Sequence, residues 1–376
     1  CRAGLGQEGF GVRVMTILGT RPEIIRLSLI IAKLDTLCEH RVIHTGQNYD
    51  PRLSDLFFTE LGVRQPDRFL GIREASFGAQ IGQILALSEQ AFTELRPDRL
   101  LILGDTNSAL SAFIAKRLGI PVYHLEAGNR CFDDRVPEEV NRRVIDHSSD
   151  ILLPYTERSR DNLLREGIPP QRIYVVGNPI AEVLRHHDAA ITASGVHAQL
   201  GVEHHRYFLV TMHRQENVDD AARLQSLMQA MDLLALEHGL PVICSMHPRT
   251  MVRLREFGVQ PTHPGVHLVE PFGLVDFVAL ERTARCVLSD SGTVSEECTI
   301  LGVPLVTIRD STERPETIEC GSNILSGVDP DTILRSVQVA TQDAGAWEAP
   351  PEYLRQNVSD TVARIVLGRT PLISPA

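Results

Sequence analysis

VRVMTILGTRPEIIRLSLII, residues 12–31, changes its hydrophobic period halfway along. Val12 to Leu18 is an apolar, β-branched run that ends in Gly19-Thr20-Arg21-Pro22-Glu23, after which Ile24, Leu27 and Ile31 recur at helical spacing. This predicts a strand, a turn and a helix. Working outward, Arg41–Thr45, Leu100–Leu103, Val122–Leu125, Ile151–Leu153 and Ile173–Val176 are further short apolar runs, most of them separated by helix-length segments. Alternation of this kind predicts an α/β fold, a parallel sheet with helices on both faces.

The pattern loosens after Gly177-Asn178-Pro179 and resumes with Tyr207–Thr211, Val242–Ser245, Val266–Val269, Cys286–Leu288 and Leu305–Ile308. The expected organisation is therefore two Rossmann-like, doubly wound domains around a cleft. Residues 1–11 read as an N-terminal extension or added remnant outside the fold. Residues 12–185 form the first domain, 186–205 a linker region and 206–350 the second domain, with 351–376 a terminal helix and tail packing back on the first. A chain of 376 residues suits two domains of about 150 to 200 residues each. Doubly wound sheets bind ligands beyond the carboxyl ends of their strands, which places the expected site in the cleft.

A formal charge of −11 and a pI near 5.7 argue against a general nucleic-acid or membrane-surface binder, since either needs a positive contact face. No apolar run approaches the roughly 20 residues that cross a bilayer. The first eleven residues lack the basic start and apolar stretch of a secretory signal. Seven cysteines without a Cys-x-x-Cys pair read as reduced thiols and point to the cytoplasm.

Polar clusters follow the strands. Gly19–Glu23 joins a glycine that permits close approach, a proline suited to a helix start, and Arg21, suited to a phosphate or carboxylate. A plain turn with a solvated arginine fits the same letters. Asp290-Ser291-Gly292-Thr293 precedes a helix, where backbone N–H groups and hydroxyls form an anion site; ordinary capping by Asp290 or Ser291 is the competing reading. Asp105, Glu126 and Glu138 form an acidic set near strand ends, and crowding of carboxylates brings them into proton-transfer range. Taken singly, Asp105 also reads as a helix cap and Glu138 with Glu139 as a solvated helix turn. His213 and His247 follow strands of the second half and suit phosphate contact or proton transfer. Phe272 and Phe277 would cover a base or fill a core. His186-His187 and His204-His205 read as surface pairs, and no helix carries the spacing of a metal site.

Taken together, GTRPE at 19–23, GDTNS at 104–108, HLEAGNR at 124–130, PEEVNRRVIDH at 137–147, MHRQEN at 212–217, DSGT at 290–293 and RDSTERPE at 309–316 resemble the non-hydrolysing UDP-N-acetylglucosamine 2-epimerases over residues 12–327. The resemblance implies a glycosyltransferase-B-like fold, usually a homodimer. It also implies an isomerase that inverts C2 of a UDP-2-acetamido sugar by eliminating UDP to a 2-acetamidoglucal and adding it back, with neither metal nor nicotinamide cofactor. By resemblance Asp105, Glu126, Glu138 and His213 are the catalytic set. Arg21, His247, Phe277, Ser291, Gly292, Thr293, Glu297 and Arg314 match positions that hold UDP.

Arg26 stands where the simplest such enzymes usually carry lysine, and Thr293 replaces the second glycine of their DSGG. HLEAGNRCFDDRVPEE is more similar to the branch acting on modified sugars, such as UDP-2-acetamido-2,6-dideoxy-L-hexoses or UDP-2,3-diacetamido uronates. The alternatives are thus a C2-epimerase of a modified UDP sugar, a hydrolysing epimerase, or a glycosyltransferase of the same fold.

Overall fold

The computed structural model describes residues 11–46, 57–74, 76–342 and 345–369. The first eleven residues, read as an extension, lie outside this set except for Gly11. The chain divides into two compact units. The first comprises residues up to Arg130, Pro137–Val183 and the chain from Arg355; the second comprises Cys131–Val136 and Leu184–Leu354.

In the first unit, β1 (Arg13–Leu18), β2 (Glu39–His44), β3 (Arg68–Phe69), β4 (Arg99–Leu103), β5 (Val122–Leu125) and β6 (Ile151–Leu153) form one parallel sheet in the order β3-β2-β1-β4-β5-β6. In the second, β7 (Phe208–Thr211), β8 (Val242–Ser245), β9 (Val266–Val269), β10 (Cys286–Ser289), β11 (Leu305–Thr307) and β12 (Asn323–Leu325) line up as β12-β11-β10-β7-β8-β9. Counted within each unit, both orders are 3-2-1-4-5-6, the doubly wound Rossmann arrangement. Two such units constitute the glycosyltransferase-B-like architecture.

The strands read as unbroken apolar runs because helices cover both faces. Met15, Ile17, Leu100 and Ile102 lie in the core of the first unit, and Phe208, Val210, Cys244 and Leu288 in that of the second. In each sheet the order reverses between the first and fourth strands, β1 beside β4 and β7 beside β10. The polar loops after those strands stand at the switch points where such sheets bind ligands.

Two segments depart from the sequence reading. Ile173–Val176 is not a strand. It makes a single bridge from Ile173 to Leu152, with bonds from Tyr174 N–H to the Leu152 carbonyl and from Val176 N–H to that of Pro154. Pro154 has no N–H to return, so the ladder stops there. Within 186–205, read as a linker, Asp188–Thr192 and Val196–Leu200 are short helices that pack on the helix Leu274–Arg282 of the second unit. The terminal helix Val358–Leu367 packs on Arg21–Leu37 in the first unit, with Lys33 paired to Asp360 at 2.5 Å. Among the described residues no helix is long and apolar enough to cross a membrane.

Candidate active site

At the first switch point the GTRPE turn folds around Glu23. Its Oε2 accepts Gly19 N–H at 3.0 Å, Thr20 N–H at 2.8 Å and the Thr20 hydroxyl at 2.8 Å, while Oε1 accepts the Thr106 hydroxyl at 3.1 Å. One buried carboxyl thereby ties the loop after β1 to the loop after β4. Burial pushes it up to about 7 against the pull of these donors. Gly19 is required by close approach, since a Cβ there would fall 2.1 Å from the Ser108 hydroxyl and 2.2 Å from that of Thr45. Arg21 opens the helix Arg21–Leu37, with its guanidinium carbon 5.8 Å from the Phe57 ring centroid.

Two of the acidic set, Asp105 and Glu126, meet arginines. Thr106 stands at the N-cap of the turn that follows Asp105, whose Oδ2 accepts from Arg142 Nε at 2.8 Å, with Nη2 of the same guanidinium 2.7 Å away. Arg142 lies on the helix Pro137–Ser148 and also pairs with Glu139 at 2.8 Å. Glu139 is fully buried, so this first turn is not the solvated one that its neighbouring carboxylates suggest. Glu138 is half-buried beside it.

Glu126 directly follows β5 in a left-handed conformation, φ +70°. Few residues other than glycine adopt this region, and Arg96, Phe132 and His205 are the others among the described residues. Its carboxylate contacts Arg26 and accepts from the Tyr155 hydroxyl at 3.1 Å and from Asn129 Nδ2 at 3.2 Å. It reaches over the loop carrying Asp105, where a Cβ on Gly104 would be 4.0 Å from Oε2. Below it, His124 bonds the Gly104 carbonyl and Asp146, each at 2.8 Å, and Asp146 pairs with Arg130 at 2.7 Å. Burial drives the Asp146 carboxyl upward, but His124 and Arg130 outweigh it and the net shift is down.

The second switch point is anchored by Asp290, which is fully buried. It accepts the backbone N–H groups of His213 at 3.0 Å and Arg214 at 3.0 Å and Asn217 Nδ2 at 3.1 Å, binding the loop after β7 to the end of β10. It is therefore not a helix cap, and Ser291 makes no side-chain capping bond to the helix Gly292–Leu301. Gly292 is needed because a Cβ would lie 2.6 Å from Glu313 Oε1. His213 Nδ1 stands 3.3 Å from Asp290, and the His213 and His247 rings approach to 6.3 Å. His247 Nδ1 accepts Arg249 N–H at 3.2 Å, which assigns the ring proton to Nε2.

Around this helix start is an arginine corner that sequence reading found only in part. Arg314, expected, is buried on Glu296. Arg309 and Arg214, not singled out, pair with Glu313 at 2.7 Å and 3.1 Å, and Arg309 also meets Glu216 at 3.1 Å. Glu297 is buried and Phe277 half-buried on neighbouring helices. Behind Glu297 lies Glu281, also unforeseen. It is fully buried, its Oε1 accepts the Cys298 thiol at 3.3 Å, and its Oε2 has no hydrogen-bond partner among the described residues. Burial, reinforced by the Glu297 charge, pushes its carboxyl well above the usual range. Among the described residues no three His, Cys, Asp or Glu side chains are grouped to hold a metal ion.

The sequence profile of a family described as UDP-N-acetylglucosamine 2-epimerase matches residues 32–367. A UDP-N-acetylglucosamine 2-epimerase of Methanocaldococcus jannaschii is 40% identical over 347 residues, covering 90% of this chain and 95% of that protein. A UDP-2,3-diacetamido-2,3-dideoxy-D-glucuronate 2-epimerase of Pseudomonas aeruginosa is 36% identical over 336 residues, 88% of this chain and 92% of its own. The crystal structure of the M. jannaschii UDP-GlcNAc 2-epimerase in complex with UDP-GlcNAc and UDP superposes with a TM-score of 0.90 at 38% identity, covering 94% of this chain and 99% of that one.

Proposed function

Since the chain belongs to the UDP-N-acetylglucosamine 2-epimerase family, we propose that it interconverts UDP-GlcNAc and UDP-ManNAc without hydrolysis. The C2 hydrogen of such a sugar is not next to a carbonyl, so direct deprotonation is prohibitively hard. Breaking the anomeric C1–O bond first builds oxocarbenium character. The C2 proton then passes to a base, its electron pair becomes the C1–C2 double bond, and UDP leaves with the electrons of the broken bond. Readdition of UDP, with a proton delivered to the other face of C2, completes the inversion. Electrostatic support of the leaving UDP is the main requirement.

The observation that carries this reading is the pair of differently equipped switch points. Asp105, Glu126 and Glu138 in the first unit are assigned to proton transfer, and His213 in the second is assigned to the catalytic set as well. Arg21, His247, Ser291, Gly292, Thr293 and Arg314 are assigned to the diphosphate, Glu297 to the ribose and Phe277 to the uracil. Support comes from the helix start at Gly292, which carries no side-chain cap, and from the arginines set around it.

A second reading, C2-epimerisation of a UDP-2,3-diacetamido uronate or a 6-deoxy sugar, is favoured by the segment HLEAGNRCFDDRVPEE and, for the diacetamido uronate, by the P. aeruginosa relative. Chromatography of the products from each UDP sugar separates these: a UDP-linked epimer identifies the substrate, and release of free N-acetylmannosamine would mean hydrolysis instead.

The enzyme is assigned as a homodimer in the cytoplasm. Phe113, Val140 and Val144 are 48%, 49% and 42% exposed on two helices, Ser111–Arg117 and Pro137–Ser148, that pack on one another, an apolar face suited to a second copy. Cys38, Cys131, Cys244, Cys286, Cys298 and Cys320 are free thiols. Light scattering of Val144→Glu tests the dimer, which the variant should dissociate.

A further inference from the structure

Tyr155 follows β6 after Pro154, in a stretch where no motif drew attention to it. It is 2% exposed, and its hydroxyl donates to Glu126 Oε2 at 3.1 Å. The Arg26 guanidinium carbon sits 5.7 Å from the centroid of its ring, and Arg26 Nη1 contacts the same carboxylate oxygen. Asn129 Nδ2 donates to Oε1 at 3.2 Å, and Asn129 is itself fixed by the Ser159 hydroxyl at 2.9 Å. Donors from three elements, the helix after β1, the loop after β5 and the end of β6, thus converge on a carboxylate whose own backbone is in the left-handed region. A phenylalanine would fill this volume equally well, so the hydroxyl is the informative atom.

We propose that Tyr155 is a positioning residue for epimerisation, its hydroxyl fixing the Glu126 carboxylate in the orientation in which it exchanges a proton with C2 of the sugar. The inference rests on the assignment of Glu126 to proton transfer. Tyr155 acts through Glu126 and not on the sugar, so its removal should slow the chemical step and leave nucleotide affinity alone. Other charged groups on the surrounding elements include Arg26 and Glu23 on the helix after β1, the Asp105–Arg142–Glu139 group and the His124–Asp146–Arg130–Glu166 chain, none of which the substitution alters.

The test is Tyr155→Phe, alone and combined with Glu126→Asp, which draws the carboxylate back from the hydroxyl. Loss of a hydrogen bond to a charged group corresponds to a fall in kcat of about tenfold to hundredfold. KM should stay within about twofold, and the acid limb of the kcat profile should move to higher pH, because the lost donor favoured the charged carboxylate. In the Glu126→Asp background, Tyr155→Phe should add less than about twofold. An unchanged kcat, an acid limb that does not move, or a penalty carried undiminished into the Glu126→Asp background would overturn the proposal. A Glu126→Gln enzyme with wild-type exchange at C2 would overturn the assignment of Glu126 itself, whatever Tyr155→Phe does.

Discussion

In the first unit two carboxylates after strand ends face guanidinium groups, Asp105 meeting Arg142 and Glu126 meeting Arg26, while Glu23 is held by backbone N–H groups and hydroxyls. In the second unit the acid that ends β10 and one buried behind the helix start are held differently, whereas Glu216, Glu296 and Glu313 again meet arginines. Asp290 is satisfied by backbone N–H groups and an asparagine, while Glu281 meets a thiol, and burial with the charge of Glu297 pushes its carboxyl well above the usual range. On the proposed assignment, two sheets with one strand order support two tasks, proton transfer and diphosphate binding. An arginine beside a carboxylate favours its charged form, the form that proton abstraction requires. At the proposed diphosphate site Asp290 is taken up by backbone donors, while Arg214, Arg309 and Arg314, set around the helix start at Gly292, are paired with Glu313, Glu216 and Glu296.

Substitutions can break this contrast. Asp105→Asn should lower kcat by about a thousandfold, within the range of general acid–base groups, with UDP affinity by calorimetry changed less than about threefold. Equal losses in both would erase the division of labour. Arg314→Ala should do the reverse, weakening UDP binding by about a hundredfold, the scale of truncating one partner of a buried charge pair. Circular dichroism should confirm that the variant folds. Phe277→Leu should weaken UDP by about fivefold through lost ring contact, with kcat unchanged.

The smallest effect concerns stability. Unfolded, Glu281 titrates in the ordinary carboxyl range; folded, it holds its proton to higher pH, so the native state binds more protons and stability falls as pH rises between the two values. Glu281→Gln removes that loss. Its Tm should match wild type near pH 4, below the unfolded value, and exceed it by about 3 °C at pH 8, a shift on the order of 1 kcal/mol for a unit of this size. A constant Tm difference across pH would show that the carboxyl titrates alike in both states.

The loops of the site were legible because strand ends in doubly wound sheets carry their polar residues together. GTRPE follows β1, GDTNS follows β4, EAGNR follows β5, and DSGT follows β10. The partners were not legible. Arg26 and Glu126 are 100 residues apart, Asp105 and Arg142 are 37 apart, and Tyr155 and Glu281 read as ordinary members of apolar or amphipathic segments. Tertiary pairing alone gives them meaning. Of the strands, β3 and β12, with two and three residues, are too short to impose a period, whereas Ile173–Val176 has the composition of a strand but lies against a proline that cannot complete the ladder.

Proton NMR of the enzyme with UDP-GlcNAc in heavy water, following the C2 hydrogen in wild type and in Asp105→Asn, tests the account most directly. The account predicts deuterium at C2 and the appearance of UDP-ManNAc with wild type, and neither with Asp105→Asn although it still binds UDP. Formation of UDP-ManNAc with the original hydrogen retained at C2, or undiminished exchange in Asp105→Asn, would contradict it.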